Sequence, residues 1–88
     1  MTTFEELSAN VTVNQQLYKD NLNWTGLKII YGLFRQGQDG DAPTERPQNV
    51  NGIERFKWKA WDAQRGKSQT DAQDEYIQFV LGCGLYPN

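Results

Sequence analysis

The chain has 88 residues and a mass of 10.1 kDa, the size of one small domain without room for a second independent core. Its composition is polar but rich in rings, with 38% hydrophobic and 12% aromatic residues, so we expect it to fold. The net charge is −2 and histidine is absent, which removes the commonest general base and the commonest metal ligand. These features argue against an enzyme and against a nucleic-acid-binding protein with a broad positive field.

Two further features point to the inside of the cell. The N-terminal residues MTTFEELSANV carry two glutamates where a signal peptide has lysines, and no apolar run approaches the roughly 20 residues of a membrane span. Cys83 is the single cysteine, whereas small proteins of oxidising compartments usually carry several disulfides. We therefore expect a cytoplasmic monomer without stable membrane anchoring, in which residues 1–88 form one domain.

The first predicted helix begins after Thr3. Glu6 follows three residues later, a spacing typical of an N-cap, and apolar residues then recur three and four positions apart as far as Val13. Residues 14–23 (NQQLYKDNLN) are mostly polar. We predict that they form a connection rather than a helix.

The second predicted helix follows Asn23, a good N-cap residue. It carries the strongest apolar stripe in the chain, at i, i+3, i+4 and i+7: Leu27, Ile30, Tyr31 and Phe34. Residues 36–52 (QGQDGDAPTERPQNVNG) contain glycines and prolines that exclude a continuous helix. This segment is predicted to be a long loop.

Two more helices are predicted in the C-terminal half. The third covers about residues 53–65, and Gly66 stands where a C-cap glycine is typical. The fourth begins after Ser68, an N-cap candidate with Asp71 three residues later, and ends before Gly82. Four short helices and one long loop predict an all-α bundle.

Rings and cations are concentrated on the second and third predicted helices. Tyr31 and Arg35 lie four residues apart and therefore share a helix face, with Phe34 beside them. Lys57 and Trp58 follow on the third helix. Such a set suits a nucleotide, since rings stack on a base while cations pair with phosphate oxygens. Spacing alone favours a simpler interpretation, in which the rings are core and the cations a solvated rim.

Four segments, in order, resemble motifs of acyl-CoA-binding proteins. Residues 31–36 (YGLFRQ) resemble the YxxYKQ segment, and residues 40–47 (GDAPTERP) resemble the GDxxTxRP loop. Residues 57–61 (KWKAW) resemble the KWxAW helix, and residues 66–77 (GKSQTDAQDEYI) resemble the GxSxEEAxxxYI segment. The nine residues between the second and third segments agree with the family spacing.

The resemblance implies an up-down-down-up four-helix bundle with a long loop between its second and third helices. It also implies a protein that holds medium- to long-chain acyl-CoA thioesters without chemical change. By motif position, Tyr31, Arg35 and Lys57 would bind the 3′-phosphate of the coenzyme. Arg35 stands where the family has lysine, which keeps the charge and adds a bidentate fork.

The same resemblance implies which residues would contact the other parts of the ligand. Phe34 would stack on the adenine in place of the family tyrosine, while Trp58 and Tyr76 would lie along the pantetheine and acyl part. Leu27 and Lys28 would line the acyl channel. The family is usually apolar at Lys28, whose four-carbon stem can line a channel while its ammonium reaches water.

The implied role is an intracellular carrier that delivers acyl-CoA to acyl-CoA-using enzymes, with no cofactor, no metal and no nucleic-acid partner. The alternative is a helical protein-interaction module in which Phe34, Trp58 and Trp61 face a protein partner. An enzyme that hydrolyses the thioester is a third interpretation. The absence of histidine and of a placed nucleophile argues against it.

Overall fold

The computed structural model describes residues 2–87, which contain helices and no strand. The elements are α1 (Phe4–Val13), α2 (Gln15–Asn21), α3 (Trp24–Asp39), α4 (Gly52–Asp62) and α5 (Gln69–Gly82). The predicted all-α class is confirmed. Within residues 2–87, no helix combines the length and apolar character needed to cross a bilayer.

The three predicted N-caps are confirmed. In each, a side-chain oxygen accepts a hydrogen bond from a backbone N–H that the first helical turn leaves without a partner. The bonds run from Glu6 N–H to Thr3 Oγ1 (3.1 Å), from Gly26 N–H to Asn23 Oδ1 (2.8 Å) and from Asp71 N–H to Ser68 Oγ (3.0 Å). Local spacing was enough to predict these helix starts because each bond spans only three residues.

The prediction of a polar connection over residues 14–23 is wrong, because most of that segment forms α2. Only Asn14 separates α1 from α2, so the two form one interrupted helical arm. Tyr18 on α2 is 1% exposed and belongs to the hydrophobic core. Burial of this ring stabilises a segment whose polar composition does not show helical periodicity.

Two helix ends also differ from the predictions. The second predicted helix continues to Asp39, four residues into the predicted loop, because Gly37 packs against Gln73 of α5 and the buried Gln36 donates a hydrogen bond to the carbonyl of Lys67. The third stops at Asp62, before the predicted end at residue 65. A turn over residues 63–66 follows it, and Gly66 in that turn has φ +92, a conformation that glycine adopts at low cost.

Contacts at the helix ends establish that α3 is antiparallel to both α1 and α5. Phe4, at the start of α1, lies against Phe34 near the end of α3, with ring centroids 6.1 Å apart. Gln73, near the start of α5, donates a 2.8 Å hydrogen bond to the carbonyl of Gly37, also near the end of α3. Consequently the end of α1, the end of α5 and the start of α3 share one end of the bundle.

The α3 and α4 helices run in the same direction. Trp24 and Phe56, at their starts, are in edge-to-face contact with centroids 5.3 Å apart. Further along, Gly32 packs so closely on α4 that an added Cβ would overlap the carbonyl of Ala60. With the antiparallel contacts, this gives the up-down-down-up order, in which α1 and α2 together form the first arm.

The core is centred on α3, which contacts α5 and α4 along its length. Its buried side chains come from every helix except α4, which contributes Ala60 beside it. The core cluster is Leu7, Val11, Tyr18, Ile30, Leu33, Ala72, Tyr76 and Val80. Because these residues occupy the inner faces, the exposed side of the α3–α4 pair is left for polar and aromatic side chains.

Candidate ligand-binding site

Four side chains form two cation–ring pairs between α3 and α4. Tyr31 and Arg35 are four residues apart on α3, and Lys57 and Trp61 are four apart on α4. Because the helices are parallel, the two stripes lie side by side. The Lys57 Nζ lies 5.7 Å from the centroid of the Tyr31 ring, and the Arg35 Cζ lies 4.3 Å from that of Trp61. We call these four residues the α3–α4 face.

The two cations of the face differ in their existing partners. Arg35 forms an ion pair with Asp39, one turn further along α3, at 3.2 Å between Nη2 and Oδ2. Its side chain is still 31% exposed, so this pair is screened and contributes little. Lys57 is exposed, and no salt bridge within the described residues includes it. The face therefore presents two positive groups from adjacent helices to solvent.

Phe34 connects this face to the aromatic part of the core. Its ring centroid lies 6.4 Å from that of Tyr31, 6.1 Å from that of Phe4 and 6.3 Å from that of Tyr76. Phe34 is half-buried and also lines an open pocket of about 270 Å³ between α1, α3 and α5. A ring in this position has part of its surface free for a flat partner.

Tyr76 has a different environment. It is 1% exposed and packs edge-on against Phe4, with centroids 5.2 Å apart. Burial, with a smaller contribution from Tyr18, raises the pKa of the Tyr76 phenol far above its ordinary value, so the hydroxyl stays neutral. The structure thus places Tyr76 in the core, and its contact with the pantetheine remains a prediction.

Trp58 points its polar atom at the loop between α3 and α4, residues 40–51. Its indole N–H donates to the carbonyl of Pro43 at 3.2 Å. Trp61 does the same from the next turn, donating to the carbonyl of Gly40 at 2.6 Å. Both indole nitrogens are therefore engaged in holding the loop, and a ligand contact of Trp58 remains a prediction that concerns its ring surface alone.

Sequence reasoning did not assign the other residues that anchor this loop. The Oδ1 of Asp41 accepts hydrogen bonds from the Gly66 N–H at 2.9 Å and from the Gln36 amide at 2.8 Å. Both bonds hold the pKa of the Asp41 carboxyl below its ordinary value, and the bond from Gly66 contributes more than the bond from Gln36. The Arg65 guanidinium donates to the carbonyl of Ala42 at 2.8 Å. The signal that the sequence offered for these residues was the GDAPTERP segment (residues 40–47). It indicates a resemblance to a family motif and does not indicate which side chains hold the loop.

Leu27 and Lys28 lie one turn before Tyr31 on α3. Leu27 is half-buried and Lys28 is exposed. Beyond them, at the first turn, lies Trp24, which is 71% exposed and contacts Phe56 on α4. An apolar region thus adjoins the cationic centre of the face. Neither ring, Trp24 or Phe56, was predicted from the sequence to belong to the site.

Comparison with known proteins identifies the family. A family model described as Acyl CoA binding protein matches residues 1–80. Acyl-CoA-binding protein 2 of Saccharomyces pastorianus is 47% identical over 51 residues, which span 58% of this chain but only 59% of that protein. The acyl-CoA-binding protein of Dictyostelium discoideum is 38% identical over 77 residues, 88% of this chain and 87% of that protein. The chain belongs to the acyl-CoA-binding protein family.

A solved structure supports the same assignment. The crystal structure of Oryza sativa Acyl-CoA-Binding Protein 2 matches with a TM-score of 0.73 and 32% sequence identity, over 91% of this chain and 84% of that one. The resemblance inferred from four short motifs is confirmed. All four motifs fall within the residues matched by the acyl-CoA-binding protein family model.

Proposed function

We propose that this protein binds medium- to long-chain acyl-CoA thioesters and carries them without chemical change. The observation that carries the proposal is the α3–α4 face, where two cations approach from parallel helices, Lys57 beside the Tyr31 ring and Arg35 beside the Trp61 ring. Relatives over most of the chain are acyl-CoA-binding proteins by name. A site with cations, rings and an adjoining apolar strip matches the phosphates, adenine and acyl chain of such a ligand.

The 3′-phosphate binds to Lys57, Arg35 and the Tyr31 hydroxyl. A phosphate needs fixed donors, and here two positive groups are positioned by helices that contact each other through Gly32. The Arg35–Asp39 ion pair is partly exposed, so opening it for a dianion costs little. Arginine also offers two parallel N–H bonds to phosphate oxygens, which lysine does not.

With the 3′-phosphate bound at these three residues, the other parts of the ligand lie against neighbouring side chains. The adenine stacks on Phe34, whose ring lies next to Tyr31. The pantetheine passes Trp58 and Tyr76, and the acyl chain lies along Leu27 and the stem of Lys28. Each methylene group removed from water adds roughly 0.8 kcal/mol, so chain burial supplies much of the affinity.

The cellular role we propose is a cytoplasmic pool of protected acyl-CoA, delivered to acyl-CoA-using enzymes by a monomer in which residues 1–88 act as one domain. Binding without turnover suits a chain that contains no histidine. The alternative, a protein-interaction module using Phe34, Trp58 and Trp61, has less support. All three rings are half-buried, and both indole N–H groups bond the α3–α4 loop.

Titration calorimetry with palmitoyl-CoA, free CoA and palmitate tests the proposal. We expect tight binding of the thioester and weak binding of each fragment, because only the whole ligand occupies the cationic and apolar parts together. Incubation with palmitoyl-CoA should release no free thiol. Equal affinity for palmitate and palmitoyl-CoA would replace the proposal with a fatty-acid carrier, and release of CoA would replace it with a thioesterase.

Native mass spectrometry of protein purified from cells separates the carrier from the interaction module. The carrier is expected to retain acyl-CoA adducts. Protein that carries no acyl-CoA but co-purifies with a stoichiometric protein partner would favour the module.

A further inference from the structure

The strongly exposed large apolar side chains of the described residues share one end of the bundle. Val13 ends α1 and Leu81 lies in the last turn of α5, whereas Trp24 and Ile53 lie in the first turns of α3 and α4. Because α3 and α4 run opposite to α1 and α5, all four positions meet at the same end. Their exposed fractions are 82% for Val13, 71% for Trp24, 65% for Ile53 and 43% for Leu81. We call this the apolar end.

The bases near the apolar end are free of ion pairs. Lys19 lies on α2, which joins the end of α1 to the start of α3. Lys28 follows Trp24 by one turn, and Arg55 lies in the first turn of α4. All three are exposed, and no salt bridge among residues 2–87 includes them. Two acids lie nearby, Asp20 and Glu54, so the apolar end carries a positive balance.

The opposite end is acidic. Arg35, Arg65 and Lys67 at this end are each paired with an acid, in the bonds Arg35–Asp39 (3.2 Å), Arg65–Asp62 (2.7 Å) and Lys67–Glu75 (2.6 Å), whereas Lys59 in the last turn of α4 is in no salt bridge among residues 2–87. Further acids lie in the first turns of α1 and α5 and along α5: Glu5, Glu6, Asp71 and Asp74. The protein is therefore electrically polarised along the bundle, although its net charge is only −2.

We propose that the apolar end docks reversibly on the surface of a lipid bilayer that contains anionic headgroups. Exposed Trp and Ile side chains insert at the boundary between headgroups and acyl chains, where indole rings are favoured. Lys19, Lys28 and Arg55 attract the anionic surface over distances of about one Debye length. The acidic end is repelled, so the same field that draws the protein in also orients it.

Charge complementarity distinguishes this occupant from a second copy of the chain. A symmetric dimer through the apolar end would bring like charges, including both copies of Lys28 and Arg55, against each other. Docking on a bilayer also turns Leu27 and Lys28, one turn from Trp24, toward the membrane. The proposal itself concerns the ligand-free protein and does not depend on acyl-CoA binding.

The test is partitioning of the ligand-free protein onto vesicles. Vesicles of phosphatidylcholine alone are compared with vesicles of phosphatidylcholine and phosphatidylserine, by cosedimentation and by tryptophan emission. We expect binding to the anionic vesicles only, a blue shift from Trp24, and loss of binding in high salt. The double variant Trp24→Ser/Ile53→Ser should bind at least tenfold more weakly, and circular dichroism should show an unchanged fold, because both side chains are exposed.

A matched pair of charge variants tests the orientation. Lys19→Gln/Arg55→Gln removes two positive charges at the apolar end and should weaken vesicle binding about tenfold or more. Ala63→Glu/Thr70→Glu gives the same net charge by changing exposed positions at the acidic end, and should bind like the wild type.

Three results would overturn the proposal: no binding to anionic vesicles, binding that Trp24→Ser/Ile53→Ser leaves unchanged, or equal weakening by the two charge variants. A concentration-dependent dimer that Trp24→Ser/Ile53→Ser abolishes, without vesicle binding, would assign the apolar end to a second copy. Calorimetry with palmitoyl-CoA in the absence of vesicles measures acyl-CoA binding alone. A failure of membrane docking can therefore be distinguished from a failure of acyl-CoA binding.

Discussion

In the proposed function, phosphate recognition depends on Lys57 and Arg35. They lie on neighbouring parallel helices, one beside the Tyr31 ring and the other beside Trp61. The ring contacts restrict both long side chains before a ligand arrives, which lowers the entropy lost on binding. Recognition therefore depends on the register between α3 and α4 as much as on the charges themselves.

Replacing either cation should weaken palmitoyl-CoA binding by about one to two powers of ten. Lys57→Ala or Arg35→Ala removes a charge-assisted hydrogen bond to a partly desolvated phosphate, a loss of roughly 1.5–3 kcal/mol. Calorimetry measures the change. The matched control is Lys59→Ala, which removes an exposed lysine two residues along α4 and should leave the affinity close to that of the wild type.

A second ligand tests which phosphate is bound. Palmitoyl-dephospho-CoA lacks the 3′-phosphate and should bind to the wild type and to Lys57→Ala almost equally. If Lys57→Ala weakens both ligands to the same extent, Lys57 contacts the pyrophosphate or supports the fold instead.

Asp41 contributes to the fold through its charge. Its Oδ1 accepts from the backbone of Gly66 and from Gln36, and these bonds keep the carboxyl pKa below its ordinary value. A carboxyl with a lowered pKa in the folded state stabilises that state above its unfolded pKa, and the contribution disappears as pH falls through the folded pKa.

Asp41→Asn should therefore lower stability at neutral pH, and the difference from the wild type should shrink as the pH falls below the ordinary pKa of an aspartate, about 4, and through the lowered pKa of the folded state. The variant keeps an oxygen at the Oδ1 position and removes only the ionisation. Urea denaturation of both proteins at several pH values provides the measurement. A stability difference that stays constant across this range would show that shape, not charge, is what Asp41 supplies.

At the scale of secondary structure, the close contact between α3 and α4 depends on Gly32. A Cβ there would overlap the carbonyl of Ala60, which is backbone and cannot rotate away. The parallel arrangement that places Lys57 beside Tyr31 thus requires glycine at this position. Neighbouring helices with larger residues at the contact would lie further apart.

Gly32→Ala should destabilise the protein by about 1–3 kcal/mol through overpacking. Gly26→Ala is the matched control on the same helix, since a Cβ there would meet only ordinary contacts, the nearest at 3.4 Å to Leu22 Cβ. It should be neutral or stabilising by up to about 1 kcal/mol, because alanine favours the helix. Thermal and urea unfolding compare the two. If the two variants changed stability equally, α3 and α4 would accommodate a Cβ at position 32 without cost, and their close contact would not require glycine there.

At the scale of the whole molecule, ligand binding and folding stability are linked. The proposed ligand contacts side chains of α3, α4 and α5, so it binds a surface that exists only when these helices are assembled. Palmitoyl-CoA at 100 times its dissociation constant should stabilise the fold by about 2.7 kcal/mol. For a chain of this size, that corresponds to an increase in Tm of about 10 °C or more.

Differential scanning fluorimetry or calorimetry measures this shift. Lys57→Ala should show a smaller shift than the wild type at the same palmitoyl-CoA concentration. Palmitate at that concentration should leave Tm nearly unchanged. A shift of the same size with palmitate would indicate that the acyl chain alone is recognised.

The sequence by itself determined the features that depend on neighbours along the chain. The caps at Thr3, Asn23 and Ser68 follow from hydrogen bonds over three residues, and the placement of Tyr31 and Arg35 on one face follows from helix geometry. The family followed from four motifs, because residue identity and spacing are present in the chain before it folds.

Only the tertiary structure decided the features that depend on distant residues. Residues 15–21 are helical because Tyr18 is buried in the core, and α3 continues to Asp39 because Gln36 and Gly37 pack against other parts of the fold. From sequence alone Trp58 was assigned to the ligand or to a protein partner, and its hydrogen bond to the carbonyl of Pro43, 15 residues away, was not predicted. Burial and long-range hydrogen bonds depend on which segments meet, and local spacing does not determine that.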